Sequence, residues 1–212
     1  MSENTPETKN NTGLELNLGE DPIQVFESWL KEATSSGCAE PTAMTLATAT
    51  KDGVPSARTV LFKGLKNKSL KFFTNYESPK AQDLIGNPVA SLVFLWTSST
   101  FQRQLRIFGR VEKLTADESF DYFKTRARGS QIGAWSSPQS QKVSSRAELE
   151  ALLSNNEKRF HDKAVPLPPH WGGFALTPER MEFWEGRQYR IHERFVFEKN
   201  QRGEWQKRRL AP

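Results

Sequence analysis

Residues 43–62, AMTLATATKDGVPSARTVLF, decide the fold of this chain. Two runs with the composition of β-strands, 43–50 and 56–62, flank Lys51-Asp52-Gly53. Glycine accepts a positive φ at low cost, so a short glycine-containing connection between two such runs is typical of a β-hairpin. The stretch therefore predicts two antiparallel strands joined by a tight turn.

Outward from this hairpin the chain continues as short strand-like runs separated by turn residues. Helices are predicted at the sheet's periphery, after Asp21-Pro22, after Ser78-Pro79, and after capping boxes that begin at Thr115 and Ser145. Many short strands with few helices favour a mainly β barrel over a parallel sheet. The further strands are predicted at 70–74, 89–96, 103–114, 174–176, 180–184, 189–197 and 204–209.

Composition and missing motifs exclude several classes of protein. Of the 212 residues only Cys38 is a cysteine, so no intramolecular disulfide and no multi-thiolate metal site can form. The three histidines lack metal-ligand spacing, and no glycine-rich phosphate loop or nucleophile elbow occurs. No apolar run reaches the roughly 20 residues of a membrane span, and the start of the chain does not resemble a secretory signal. We expect a cytoplasmic protein.

Charge is unevenly distributed along the chain. The net charge is +5, although residues 1–21 contain five acids and one lysine. Residues 1–20 are polar and without periodicity, which predicts a flexible arm, and residues 21–212 form one domain. A basic body suggests an anionic partner, whether nucleic acid, a membrane surface or phosphorylated small molecules, although solubility alone also explains it.

Cationic and hydroxyl side chains recur beside aromatic ones. Strand alternation places Arg58 and Lys63 on opposite faces unless a bulge or the twist at the strand end intervenes. Lys80 lies near the N-terminus of a short helix, where amide N–H groups favour an anion. Tyr122, Arg126 and Ser130 recur every four residues and share one face if the helix continues, but taken alone a solvated basic turn of Lys124, Arg126 and Arg128 is the favoured explanation.

The segment 189–194, YRIHER, is the sharpest local feature. In a strand, Arg190, His192 and Arg194 share one face, while Ile191 points with the phenylalanines that follow into the core. Three cationic or titratable groups on one face repel each other unless an anion or an acid compensates them. The alternatives are a ligand site and an exposed face compensated by Glu182, Glu185 or Glu193.

Ten segments, taken in order, resemble the pyridoxine/pyridoxamine 5′-phosphate oxidases. The resemblance covers about residue 21 to the last residue, and its specificity lies in the joint order of the segments. They are 58–63, Phe73-Thr74-Asn75, Arg103-Gln104, Tyr122-Phe123, 130–135, Gln139-Ser140, Trp171-Gly172-Gly173, Glu182-Phe183-Trp184, 190–194 and 209–212.

The resemblance implies a split β-barrel homodimer that holds FMN at the subunit interface. It implies oxidation of pyridoxine 5′-phosphate and pyridoxamine 5′-phosphate to pyridoxal 5′-phosphate by molecular oxygen, with release of hydrogen peroxide and, from the amine, ammonia. A non-catalytic flavin- or vitamer-phosphate-binding protein of the same fold is the alternative. A nucleic-acid-binding module is disfavoured, because no aromatic RNA-binding signature or zinc-finger pattern occurs.

The resemblance also assigns site residues. Arg190 and His192 are implied to orient the pyridine ring, and Arg194 to stabilise negative charge on the reduced flavin. The FMN-binding positions are Arg58, Lys63, Phe73, Thr74, Lys80, Gln104, Gln139, Ser140, Trp184 and Arg194. The substrate-binding positions are Lys63, Tyr122, Arg126, Ser130, Arg190, Ile191 and His192.

Two departures from the family pattern concern ligand binding. Pro79-Lys80 stands where the family usually has Arg-Lys, so one guanidinium at the FMN phosphate is absent and we expect weaker FMN binding. Residues 1–20 contain neither the arginine nor the tyrosine with which the family's N-terminal arm often covers the substrate. The presence of that lid is therefore in doubt.

Overall fold

The computed structural model describes residues 16–212 as a mainly antiparallel β protein with five peripheral α-helices, which confirms the predicted fold class. The strands are β1 Ala43–Ala49, β2 Pro55–Leu61, β3 Leu65–Lys66, β4 Ser69–Asn75, β5 Val89–Thr97, β6 Gln102–Lys113, β7 Trp171–Glu185, β8 Glu193–Lys199 and β9 Trp205–Arg209. The helices are α1 Pro22–Ser35, α2 Pro79–Gly86, α3 Ala116–Phe123, α4 Arg128–Ser136 and α5 Arg146–Arg159.

The nine strands form one sheet that branches at β7. The order is β2-β1-β5-β6-β7-β4-β3, and β8 and β9 extend from the other half of β7. Backbone bonds from Lys63 N to Lys71 O (2.8 Å) and from Lys71 N to Gly64 O (2.9 Å) join the chain after β2 to β4. These bonds extend the β3–β4 pairing towards the end of β2, and no strand pairing within residues 16–212 closes the sheet.

Strand β7 is longer than the sequence predicts. The runs 174–176 and 180–184 were expected as separate strands, and they are one strand that pairs with β6 along its length. The register shifts between Phe108 and Gly109, with Pro178 opposite Gly109. Such a bulge accommodates a proline that cannot donate to the ladder, so the strand continues through it.

The barrel core is aromatic and aliphatic. Phe26, Phe72, Phe94 and Phe183 are fully buried, with Leu46 and other strand residues around them. Helix α1 begins as predicted, because Asp21 accepts a hydrogen bond from Ile23 N (2.9 Å). Its apolar stripe packs into the core and closes one end of the barrel.

The helices after β6 differ from the prediction in one respect that matters for the site. The Thr115 capping box is present, but α3 ends at Phe123 and α4 begins only at Arg128. The helix therefore does not continue through Ser130, so the condition under which Tyr122, Arg126 and Ser130 would share one helix face is not met. At α5 the cap is half a capping box: Ser145 Oγ accepts from Glu148 N, while the Glu148 carboxylate bonds to Ser144.

The expected strand over 189–197 is also wrong in its first half. Residues Gln188–Arg190 form a 3-10 turn in which Tyr189 and Arg190 have φ of 56° and 60°, and β8 starts at Glu193. Ile191 is 68% exposed in this chain and does not enter its core, whereas Phe195 and Phe197 are buried as predicted.

Most of the predicted arm, residues 1–15, lies outside the described residues. Of the remainder, Leu18 is buried and its carbonyl accepts a hydrogen bond from Lys207 Nζ (2.9 Å). Within residues 16–212, no helix has the length and apolar character needed to span a membrane.

Candidate active site

A cavity of about 520 Å³ opens between the end of β2, strand β4, and helices α2 to α4. It brings together eight of the predicted site residues: Lys63, Phe73, Thr74, Lys80, Tyr122, Arg126, Ser130 and Gln139. Trp171 and Ala127 also line it, together with residues 59–61 of β2. Predicted FMN positions and predicted substrate positions thus share one space.

Arg126 is the least satisfied polar group in this cavity. Its Nη1 is buried and has no hydrogen-bond partner among the described residues. Its guanidinium lies 4.8 Å from the centroid of the Trp171 ring, and burial lowers its pKa from the ordinary arginine value. A buried donor without a partner costs free energy, so the arrangement favours a ligand that brings an acceptor.

Three stacked aromatic rings form one wall of the cavity. The Phe73 ring lies 4.0 Å from Tyr122 and 5.4 Å from Trp171, with interplanar angles of 20° and 11°. Gly173 is required beside this wall, because a Cβ there would lie 2.7 Å from the Phe73 ring. The wall offers a flat apolar surface next to cationic groups.

A cluster of three polar side chains also lies at the cavity: Thr74, Lys80 and Gln139. The Lys80 ammonium donates to Gln139 Oε1 (2.7 Å) and to Thr74 Oγ1 (3.2 Å), and Thr74 donates to Gln139 Oε1 (3.0 Å). Burial, and then the positive charge of Arg58, lowers the pKa of Lys80. Among residues 16–212 the hydrogen-bond partners of the ammonium are neutral oxygens, so an anion would stabilise its charged form.

Lys63 lies beyond the end of β2, so strand alternation does not relate its side-chain direction to that of Arg58. Arg58 Nη1 donates to Leu46 O (3.2 Å) and Thr48 Oγ1 (2.8 Å), while Thr48 donates to Asp83 Oδ2 (2.6 Å). Burial lowers the pKa of Arg58, and Asp83 acts against that shift. Thr48, bonded to Asp83, holds Arg58 near Lys80, and no pattern in the sequence singled out this pair.

A second group of predicted residues lies across strands β6 to β8. Gln104 pairs with Trp184, and Trp184 pairs with Arg194, so the three side chains form a row on one face of the sheet. Arg194 donates to Glu182 Oε1 (2.8 Å) and to the Ala211 carbonyl (2.9 Å). Glu182, which the sequence offered as one possible compensating acid, is this partner.

His192 lies beside the same row. Its ring centroid is 4.7 Å from that of Trp184, and its Nδ1 accepts from Arg187 N (3.1 Å). Burial, and then the charge of Arg190, lowers the pKa of His192. Ile191 and His192 line a separate concavity of about 290 Å³ with the C-terminal residues.

Within the described part of one chain, the larger cavity does not include Arg58, Gln104, Ser140, Trp184, Arg190, Ile191, His192 or Arg194. Ser140 is exposed and has a φ of 67°, directly after Gln139. The predicted roles of all these residues stay predictions. Trp171 belongs to one of the ten ordered segments but not to the predicted site residues; it packs in the core and also lines the cavity.

Solved structures define the class of protein first. The fold matches a pyridoxamine 5′-phosphate oxidase-related, FMN-binding protein from Nostoc punctiforme with a TM-score of 0.72 at 18% identity, over 91% of this chain and 98% of that one. PhzG from Burkholderia lata, in complex with tetrahydrophenazine-1-carboxylic acid, matches with a TM-score of 0.86 at 29% identity, over 92% and 95%. The chain therefore has the split-barrel fold.

Sequence comparison narrows the class to a family. Residues 30–155 match the family model described as pyridoxamine 5′-phosphate oxidase, and residues 171–212 match the pyridoxine 5′-phosphate oxidase C-terminal dimerisation region. Relatives named pyridoxine/pyridoxamine 5′-phosphate oxidase include those of Salinibacter ruber (50% identity, 91% of this chain and 90% of that one) and Pseudomonas paraeruginosa (48%, 93% and 92%). This chain belongs to the pyridoxine/pyridoxamine 5′-phosphate oxidase family.

Proposed function

We propose that this chain is an FMN-dependent oxidase that forms pyridoxal 5′-phosphate. Pyridoxine 5′-phosphate and oxygen give pyridoxal 5′-phosphate and hydrogen peroxide. Pyridoxamine 5′-phosphate, oxygen and water give pyridoxal 5′-phosphate, ammonia and hydrogen peroxide. Relatives at 48–50% sequence identity are named pyridoxine/pyridoxamine 5′-phosphate oxidase, whereas the sequence identity to PhzG is 29%.

The observation that carries the proposal is the charge of the larger cavity. Lys63, Lys80 and Arg126 line it, and among residues 16–212 no acid does. Cations held together without a carboxylate repel each other and lose hydration, so a phosphate ester would relieve both costs. The unpartnered Nη1 of Arg126 marks one place for a phosphate oxygen.

The residues present fit FMN. Lys80, Thr74 and Gln139 supply donors for one phosphate, Arg58 lies near Lys80, and the row of Gln104, Trp184 and Arg194 supplies polar groups and an indole for a flavin ring. When bound, FMN supplies a two-electron acceptor that oxygen can reoxidise.

The chain's own residues bind and orient. Arg126, with the hydroxyls of Tyr122 and Ser130, would hold the substrate phosphate, and the wall of Phe73 and Trp171 would exclude water beside it. Arg190 and His192 would orient the pyridine ring, so that the rate comes mainly from holding the reacting carbon in place. Arg194 would place positive charge near the electron acceptor.

A second copy of the chain would complete the site. Leu61, Leu95 and Phe108 are 38%, 59% and 41% exposed and share the outer face of the sheet with the Gln104 row. Such a face on a sheet is typical of a subunit interface. Dimerisation through it would bring the His192 concavity of one copy to the larger cavity of the other.

The test begins with an absorbance spectrum of the purified protein and its mass in solution. We expect a yellow dimer that releases one hydrogen peroxide per pyridoxal 5′-phosphate from either substrate. A flavin-loaded protein without turnover would favour the non-catalytic binding protein of the same fold. Leu95→Glu should give monomers that lose FMN, while Leu153→Glu on α5, a comparably exposed leucine away from the sheet, should stay dimeric.

A further inference from the structure

The connection between β7 and β8 holds a histidine in a fixed setting. Gly186 N, directly after β7, donates to Gln102 O (2.8 Å), and the left-handed Tyr189 and Arg190 then reverse the chain. This reversal returns His192 to Arg187, whose backbone N–H donates to His192 Nδ1 (3.1 Å). The ring is also confined by the Trp184 indole at 4.7 Å.

The bond to Nδ1 determines which nitrogen of the neutral ring carries the proton. A nitrogen that accepts a hydrogen bond from a backbone N–H has no proton of its own. The neutral ring therefore carries its proton on Nε2, and Nε2 becomes the donor available to a ligand. Protonation of Nδ1 would break the bond from Arg187 N, so the same contact opposes the charged form.

Arg187 is itself anchored to the barrel. Its Nη2 pairs with Glu185 Oε1 (2.8 Å), and Glu185 Oε2 accepts from Arg103 Nε (2.6 Å). Glu185 is buried, and the Arg103 guanidinium lies 4.7 Å from the Trp29 ring of α1. A continuous chain of contacts therefore runs from α1 through β6 and β7 to the backbone N–H that holds His192.

We propose that Arg187, anchored by Glu185 and Arg103, is a positioning residue that fixes His192 as the Nε2–H tautomer, with Nε2 as its donor to the pyridine substrate. The part concerning the substrate rests on the proposed function; the tautomer does not. Arg187 was absent from the predicted site residues, because its effect passes through its backbone and through contacts distant in sequence.

Several charged groups face His192 and must be separated from this effect. Arg190 lies on the same loop, and Glu193, Arg209 and the C-terminal Pro212 line the concavity with it. Glu193 and Arg209 pair with each other at 3.0 Å. The charges of Arg187 and Arg190 alone would also lower the pKa of His192, so the test needs charge controls.

The test is nuclear magnetic resonance of FMN-loaded protein labelled with ¹⁵N at its three histidines, with His192→Asn used for assignment. In the wild type we expect Nδ1 unprotonated and Nε2 protonated in the neutral ring. Arg187→Ala should shift the Nδ1 resonance and raise the His192 pKa. Arg187→Lys, which keeps a cation for Glu185, should restore both, and Arg190→Ala should raise the pKa without moving the Nδ1 resonance of the neutral ring.

Glu185→Gln distinguishes positioning from simple electrostatics. Removal of a negative charge lowers a histidine pKa by itself, whereas release of Arg187 raises it by loosening the Nδ1 bond. We expect a rise. A fall, an Nδ1–H tautomer in the wild type, or Arg187→Ala spectra identical to wild type would each overturn the proposal.

Turnover separates this proposal from the proposed function. In Arg187→Ala, kcat/KM should fall about tenfold, because a misplaced orienting group is costly. The affinity for inorganic phosphate, which probes the larger cavity, should be unchanged. An inactive wild type with the expected tautomer would defeat the oxidase proposal and leave the positioning of His192 intact.

Discussion

The larger cavity and the β7–β8 region use positive charge in opposite ways. In the cavity, Lys80 has neutral oxygen partners and Arg126 keeps a buried nitrogen without one. In the β7–β8 region three arginines are each paired with a carboxylate: Arg187 with Glu185, Arg194 with Glu182, and Arg209 with Glu193.

This difference in pairing suits the two regions to different tasks, ligand binding in the cavity and the orientation of groups in the β7–β8 region. A cation without a carboxylate keeps its attraction for an anionic ligand, at a cost to the ligand-free fold. A cation clamped by a carboxylate loses part of that attraction and gains a fixed position. The cavity is thus suited to phosphate binding, and the β7–β8 region to holding groups in place around a ring.

The largest expected effect is at Arg126. Arg126→Met should lower kcat/KM for pyridoxamine 5′-phosphate about a hundredfold, since a charge-assisted hydrogen bond contributes about 2–3 kcal/mol. The free energy of unfolding of the ligand-free protein should stay the same or rise, because a buried donor without a partner is removed. Steady-state kinetics and urea denaturation measure the two quantities.

Arg128 provides the matched control two residues away. Its guanidinium donates to the carbonyls of Phe160 (2.5 Å) and Lys163 (2.9 Å), so its role is structural. Arg128→Met should lower the free energy of unfolding by about 1–3 kcal/mol and leave kcat/KM unchanged. The same pattern in both variants would contradict the ligand-binding role of Arg126.

Substitution of Glu182 tests the role of carboxylates in the β7–β8 region. It is 3% exposed and accepts from Arg194 (2.8 Å), Arg106 (3.4 Å) and Arg180 (3.4 Å). Glu182→Gln should lower the free energy of unfolding by about 2 kcal/mol, because partly buried guanidiniums lose their counter-charge. FMN should also bind more weakly. Glu198→Gln, which removes an exposed partner of Arg180, should change stability by less than about 1 kcal/mol.

Pro79 tests whether the cavity tolerates a further cation. Pro79→Arg restores the guanidinium that the resemblance leads one to expect beside Lys80, and it should tighten FMN binding about tenfold through one charge-assisted bond. Quenching of flavin fluorescence on binding measures the affinity directly. Pro79→Ala removes the proline without adding charge; an equal gain in that variant would refute the electrostatic explanation.

Lys80 gives the smallest effect, a dependence on pH. Burial, and then the charge of Arg58, lowers its folded-state pKa below the ordinary lysine value, so the unfolded chain binds more protons between the two pKa values. The ligand-free protein should therefore gain stability as pH rises through that window, while its affinity for inorganic phosphate falls a few-fold. Lys80→Met should abolish both trends, as calorimetry at several pH values would show.

Local patterns predicted most of the elements correctly. The hairpin around Gly53, the proline-led helices at Pro22 and Pro79, and the capping box at Thr115 each depend on residues near in sequence, and each is present. The strand predicted over 189–197 is wrong in its first half, because the prediction extended strand alternation through Tyr189 and Arg190. No local pattern indicated that these two residues have a left-handed backbone.

The candidate site was likewise predicted only in part. The resemblance named the residues of the cavity, and the structure places eight of them around one space. The contacts that hold two predicted residues outside the cavity were not recognised: Thr48, bonded to Asp83, holds Arg58, and the backbone N–H of Arg187, whose side chain pairs with Glu185, holds His192. These partners lie far apart in sequence or act through backbone atoms, so neither spacing nor residue type identified them.

By itself the sequence determined a β-rich chain, the ends of most helices, the family and the identity of the cationic residues, since caps, turns and ordered motifs are properties of neighbouring residues. Only the tertiary structure decided which of those cations lie together without an acid and which are each held by one. That distinction depends on distances between side chains brought together by the sheet, and the strength of an electrostatic interaction depends on distance and burial, which no linear spacing specifies.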